Sequence, residues 1–345
     1  MENKNKAPLF PKLDRKWKIL ISFFLLFIFI SPYLFTREWS FFPSFVGKGE
    51  IGDTFGIMNP FIAIIAALLT FMAFGTQYNA NIQMIENNDK QQEERQFYEM
   101  LKIHIDNTNK LSAKALIKKG NNQYEDITVF GKTALKIMRK EFNLIHLIVG
   151  FYKENNPSPE DIFNEAYSIF FIGNNHDIHD GSNNVRQKIE LIRTTDEFEN
   201  LTSLIQPPNI KDNLKFSPQN VAIGHIEQFD SYYRHLYNMV KSVALSTHFD
   251  ENEKIKFLKI LRAQMTSDEQ ILLLYNWHSG YGKKWESVDD KHFFFSKYQI
   301  IHNIFPSDCV FTSNEIFNMF PHVSENIKRK MFNNFQPQEN QASQT

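Results

Sequence analysis

Residues 57–74 read IMNPFIAIIAALLTFMAF, and residues 75–111 continue as GTQYNANIQMIENNDKQQEERQFYEMLKIHIDNTNKL. The first run holds no charge over eighteen residues, close to the ~20 that a helix needs to cross the hydrocarbon core of a bilayer. Pro60 falls in its first turn, where a missing N–H costs least. The second run is polar and has no Pro, and no Gly after Gly75, so it predicts a helix continuing the first. Its apolar residues recur at Tyr78, Ile82 and Ile85, lapse, and resume at Phe97, Leu101, Ile105, Thr108 and Leu111. That spacing is helical but its heptads are incomplete. It fits a stalk paired with a second chain and a lone solvated helix equally well.

Toward the N-terminus, residues 19–35 read ILISFFLLFIFISPYLF, again without a charge, with Trp17 and Tyr33 placed near the two interfaces. No small-x-small cleavage site follows, and a second span comes soon after, which argues against a cleaved signal peptide. Lys4, Lys6, Lys12, Arg15, Lys16 and Lys18 precede this run, whereas the loop to the next carries only Arg37 and Lys48. The positive-inside rule then puts the N-terminus in the cytoplasm, and two crossings return the chain there. Trp39, Phe41, Phe42 and Phe45 suit the connecting loop to the headgroup region.

The expected organisation is a cytoplasmic basic tail (1–16), a transmembrane helix (17–36), a short periplasmic loop (37–55) and a second transmembrane helix (56–75). A helical stalk (76–118), a cytoplasmic helical domain (119–336) and a disordered tail (337–345) follow. The fold class is all-α, with no convincing strand alternation. Ser158-Pro159-Glu160-Asp161 and Thr266-Ser267-Asp268-Glu269 are helix starts with capping chemistry. From Phe229 to Phe249, apolar residues at Phe229, Tyr232, Tyr233, Leu236, Tyr237, Val240, Val243 and Ala244 make a core-facing stripe, with Arg234 and Asn238 opposite.

A formal net charge of -1 over 345 residues provides no basic field for a nucleic-acid backbone, so direct nucleic-acid binding is not expected. One cysteine, Cys309, excludes an intramolecular disulfide framework and a Cys-rich zinc site. No phosphate-binding loop, nucleophile elbow or dinucleotide fingerprint is present, and no cofactor is expected. His176-Asp177-Ile178-His179-Asp180 has metal-ligand chemistry but sits in an Asn/Gly-rich loop that predicts no oriented second shell; no metal is expected. Arg139 and His146 have an Arg-x6-His spacing that some helical ribonucleases use, a pattern expected by chance in a chain with this many Arg and His.

The residues 251–278 carry polar groups inside apolar stripes. Arg262, Gln264, Glu269 and Asn276 interrupt them, and a buried charge is tolerable only when paired. The expected arrangement is Arg262 with Glu269, and Gln264 and Asn276 on nearby backbone. This cluster is either a packing lock or part of a functional site.

Gly224-His225, the run Phe229-Asp230-Ser231-Tyr232-Tyr233-Arg234-His235-Leu236-Tyr237, then Ile260 to Met265, Glu269, Leu273, Tyr275-Asn276 and Gly282-Lys283-Lys284 resemble the phage abortive infection family, the AbiC-like proteins. Tyr233, Arg234, His235 and Tyr237 form the densest block. The resemblance implies a bacterial defence protein that stops infected cells from yielding phage, and supplies no catalytic residues. By analogy with two-span defence effectors, the expected action is perturbation of the inner membrane when the cytoplasmic domain is triggered. The expected partners are the lipid bilayer, further copies through the spans and stalk, and a regulator such as a reverse transcriptase complex or a phage component. The alternative is a membrane-anchored ribonuclease or other toxic enzyme.

Overall fold

The computed structural model describes residues 22, 23, 26, 27, 30, 59–119, 123–153, 156–173, 187–190, 214–217, 221–289 and 292–333. They are mostly helical, with few strands. The chain divides into two compact units, Met1–Gln91 and Gln92–Thr345.

In the first unit the dominant element is helix α1, Asn59–Lys110, which runs on into the second. An eighteen-residue window of it has mean hydropathy 1.8 and none of it is buried, so by length and composition this helix can cross a membrane. Ile62, Ile64, Leu68, Leu69, Phe71 and Phe74 all face outward, an arrangement that water penalises and lipid does not. Thr70 and Thr76 return their hydroxyls to the carbonyls of Ala66 and Met72, leaving no polar group of these side chains unpaired. Of the first expected span only Ser22, Phe23, Leu26, Phe27 and Ile30 are described, all helical. The Phe27 ring meets Phe61 edge-on at 5.8 Å. Among the described residues, α1 is the one helix that qualifies as a span; the rest of 17–36 lies outside them.

The second unit begins within α1. Residues Phe97, Leu101, His104 and Thr108 are buried, so the helix has a core-facing stripe over its last four turns. His104, rather than the expected Ile105, lies on it, and Ile105 is exposed. The described residues are mostly helical, consistent with the all-α expectation, but the expected helical stalk is cut short at the next element. Instead of extending to 118, the helix ends at Lys110, and β1 (Ser112–Lys119) and β2 (Gln123–Phe130) form an antiparallel hairpin, with β3 (Leu214–Phe216) on the other edge of β1. The register pairs Ala113 with Val129 and Ala115 with Ile127. Those side chains turn to the core, while Lys114 donates to Thr128 on the exposed face at 2.9 Å. Such alternation is what a half-buried strand requires.

Gly131, at φ 62, turns the chain from β2 into α2, Gly131–Tyr152, which buries twelve of its residues. Helix α3, Pro159–Ile172, packs along it behind the Ser158/Asp161 capping box. Then come α4 (Ile226–Ala244), α5 (Glu251–Arg262) and α6 (Ser267–His278). Their shared core is aromatic: Phe142, Phe163, Tyr167, Phe170 and Tyr275 contact one another edge-on or tilted, with Phe163 and Tyr167 stacked, geometries that favour the ring quadrupoles. This core uses part of the 34-Phe content. After α6, a short ladder of β4 (Glu286–Ser287) and β5 (His292–Phe293) precedes α7 (Ser313–Met319) and α8 (Glu325–Met331). Glu286 organises this end, accepting from the backbone N–H groups of Phe295 and Ser296 and from His322.

Candidate functional site

Helix α4 exposes Asp230 and Arg234 on one side and buries Phe229, Tyr232, Tyr233 and Leu236 on the other. Tyr233 stacks on Phe229 at 4.9 Å and 10°. Burial pushes its phenol well above the ordinary value, aided by Tyr167 and Glu269, so it is a neutral donor. Its hydroxyl has no partner among the described residues, and a group in this position costs about 1–3 kcal/mol.

Facing α4 is the turn that ends α6. Gly280, at φ 88, adopts a backbone that only glycine enters freely, and Gly282 donates its N–H to the Asn276 carbonyl at 2.9 Å. A Cβ on Gly282 would lie 2.3 Å from Asn276 Oδ1. Asn276 is itself fixed, donating through Nδ2 to the Tyr167 hydroxyl at 2.9 Å. The turn delivers Lys283 and Lys284 to the surface and sinks Trp285 beneath Tyr237, whose rings meet edge-on at 5.5 Å. Between α4 and this turn is an open cleft of about 400 Å³. Tyr233, Tyr237, Trp285 and Phe171 line it; Arg234, Lys283 and Lys284 supply positive charge. Arg234 is held by both oxygens of Asp230 at 2.9 and 2.7 Å, an exposed pair. Lys283 and Lys284 have no acidic partner among the described residues.

Residues 224–309 match the family described as "Putative phage abortive infection protein". The match bears out the resemblance carried by Tyr233, Arg234, His235 and Tyr237, and it contains every lining residue named above except Phe171. No curated protein and no solved structure matches the chain.

The expected polar cluster is not assembled. Arg262 donates to the Gln299 carbonyl at 2.8 Å, and Gln264 is exposed. Glu269 is buried as expected but its partners are different: the Tyr232 hydroxyl donates to it, His104 Nε2 lies 3.1 Å away, and it closes the capping box with Thr266. The correction has a simple cause. Arg262 ends α5 and points to the 299 loop, whereas Glu269 opens α6 against α1 and α4. Asn276 lies a further two turns on, beside the cleft. Of the expected cluster, then, Asn276 alone lines it. In the family block, His235 donates to the Met100 carbonyl at 2.9 Å and so ties α4 to α1.

Arg139 and His146 are not brought together. Arg139 pairs with Asp268 and donates to the Asp308 carbonyl. His146 packs against Phe142 and Phe163. The stretch His176 to Asp180 lies outside the described residues, and among those described no group of three or more His, Cys, Asp or Glu could hold a metal. Burial pushes the Cys309 thiol up to about 12, which leaves it unreactive.

One buried dyad escaped the sequence reading. His225 donates through Nε2 to Glu141 at 2.8 Å, and Glu141 also accepts from the Ala222 N–H. His225 Nδ1 has no partner among the described residues, and a cavity of about 140 Å³ adjoins the pair. The available signal was weak, since Glu141 directly follows Arg139 and Lys140 in a helix that also carries Lys132 and Lys136.

Proposed function

We propose that this chain is a membrane-anchored antiphage effector that acts by abortive infection. Its match to a phage abortive infection family over residues 224–309 carries the defence role. The anchor rests on α1, whose apolar window is wholly unburied. In this reading the N-terminal segments span the bacterial inner membrane twice, with both termini cytoplasmic. The domain from Gln92 onward senses infection, or is released by a regulator such as a reverse transcriptase complex or a phage component. The membrane segments then perturb the bilayer, as single chains or as an oligomer. A ribonuclease reading is less well supported, because Arg139 is committed to Asp268 and the Asp308 carbonyl and His146 packs against Phe142 and Phe163.

The defining experiment is infection at high multiplicity. Cells with the chain should die without releasing phage while the uninfected culture grows. Survival of the infected cells would overturn the abortive mechanism. A C-terminal alkaline phosphatase fusion should be inactive, and activity would refute the two-pass topology.

A further inference from the structure

The cleft beside α4 has two chemistries side by side. Its walls are aromatic, from Tyr233, Tyr237 and Trp285, while Arg234, Lys283 and Lys284 bring three cations against the single carboxylate of Asp230. A bare anion would leave the walls unused, and a purely apolar ligand would leave the cations unused. The volume, about 400 Å³, falls in the range of small-molecule sites. Tyr233 is 7% exposed, and its hydroxyl is a donor without a partner among the described residues; buried polar groups ordinarily find one. Gly280 has open space where a Cβ would stand, so the backbone of the turn can approach a ligand there, whereas at Gly282 the Asn276 side chain fills that space.

We propose that this cleft binds a nucleotide, with the base among the aromatic rings and the phosphates on Lys283, Lys284 and Arg234. Aromatic faces stack on any base, and Lys and Arg are the side chains that take phosphate. The proposal rests on the reading of this domain as a sensor, and names the class of ligand that it senses.

The test uses the purified full chain in nanodiscs of zwitterionic lipid. Thermal unfolding and titration calorimetry are run with mono- and triphosphates of the four ribonucleosides, a cyclic dinucleotide, and inorganic triphosphate as control. At least one nucleotide should bind saturably, at least tenfold tighter than inorganic triphosphate. The double variant Lys283→Glu/Lys284→Glu should weaken it at least tenfold, and Tyr233→Phe severalfold with an unfolding temperature no lower than the parent's. Lys256→Glu/Lys259→Glu, on α5, should bind as the parent does. Absence of saturable binding across the panel, equal binding of inorganic triphosphate, or an undiminished affinity in a folded Lys283→Glu/Lys284→Glu variant would overturn the proposal. So would loss in that variant of binding to anionic vesicles alone, which would assign the cations to a lipid surface. Protection against phage is scored separately. If the parent protects but binds no nucleotide, the ligand assignment fails and the defence reading stands. If it binds but does not protect, the reverse holds.

Discussion

Replacing Glu269 with Ala separates two accounts of how this domain is held together. The carboxylate is 1% exposed and receives the Tyr232 hydroxyl, with His104 Nε2 at 3.1 Å. Its removal leaves the His104 donor unpaired, at about 1–3 kcal/mol, leaves the Tyr232 hydroxyl with only the Thr108 hydroxyl at 3.3 Å, and opens the Thr266 capping box. The expected loss is about 2–4 kcal/mol, from the orphaned donor and the weakened cap. Arg262→Ala loses one bond, to the Gln299 carbonyl, from a partly exposed guanidinium, and should cost about 1 kcal/mol. Because the two groups have different partners, the double variant should lose the sum to within about 0.5 kcal/mol. Denaturant unfolding of the purified chain, followed by tryptophan fluorescence, measures all three. Equal single losses with recovery in the double variant would refute the assignment and restore an Arg262 to Glu269 pair.

Gly224→Ala should be costly, by roughly 2–4 kcal/mol from strain and overpacking, because Gly224 sits at φ 90 and a Cβ there would lie 2.5 Å from the Ile172 carbonyl oxygen; unchanged stability would show that this contact does not exist. Burial holds His146 and His278, both against Phe163, below their ordinary value of 6.5, with Glu315 opposing. The unfolded chain therefore binds more protons between those lowered values and 6.5, so stability should fall as pH drops through 6.5 and level off below the folded values. Unfolding midpoints at pH 7.5, 6.5 and 5.5 measure this, and a parent no more pH-dependent than a folded His146→Gln/His278→Gln variant would contradict it.

The helices were legible wherever one face decided them. The α4 stripe from Phe229 to Ala244 is buried at every expected position except Tyr237, which is partly buried against the core. The boxes at Ser158 and Thr266 cap α3 and α6. The hairpin was not legible. β1 reads SAKALIKK, rich in Ala and Lys, which favour helix, and no Gly or Pro separates it from α1. Only its pairing with β2 makes its alternation meaningful. The site was half legible. Its residues were visible as a family block, but the cleft depends on Asn276 gripping Gly282 across the end of α6, and no periodicity encodes that. The partners of Glu269 were out of reach for the same reason, since His104 lies 165 positions upstream.

The account stands most directly on membrane potential during infection. Cells carrying the full chain, or a variant with Ile64→Lys and Leu68→Lys in the unburied window of α1, are infected in the presence of a potential-sensitive dye, with total RNA sampled in parallel. Two lysines at the centre of a span are each disfavoured by about 2.5–3.5 kcal/mol on insertion scales, so the variant should lose its anchor. The account predicts that parent cells depolarise before bulk RNA is degraded and before phage is released, and that variant cells keep their potential and yield phage. Protection by the variant, or RNA loss while the potential holds in parent cells, would contradict it.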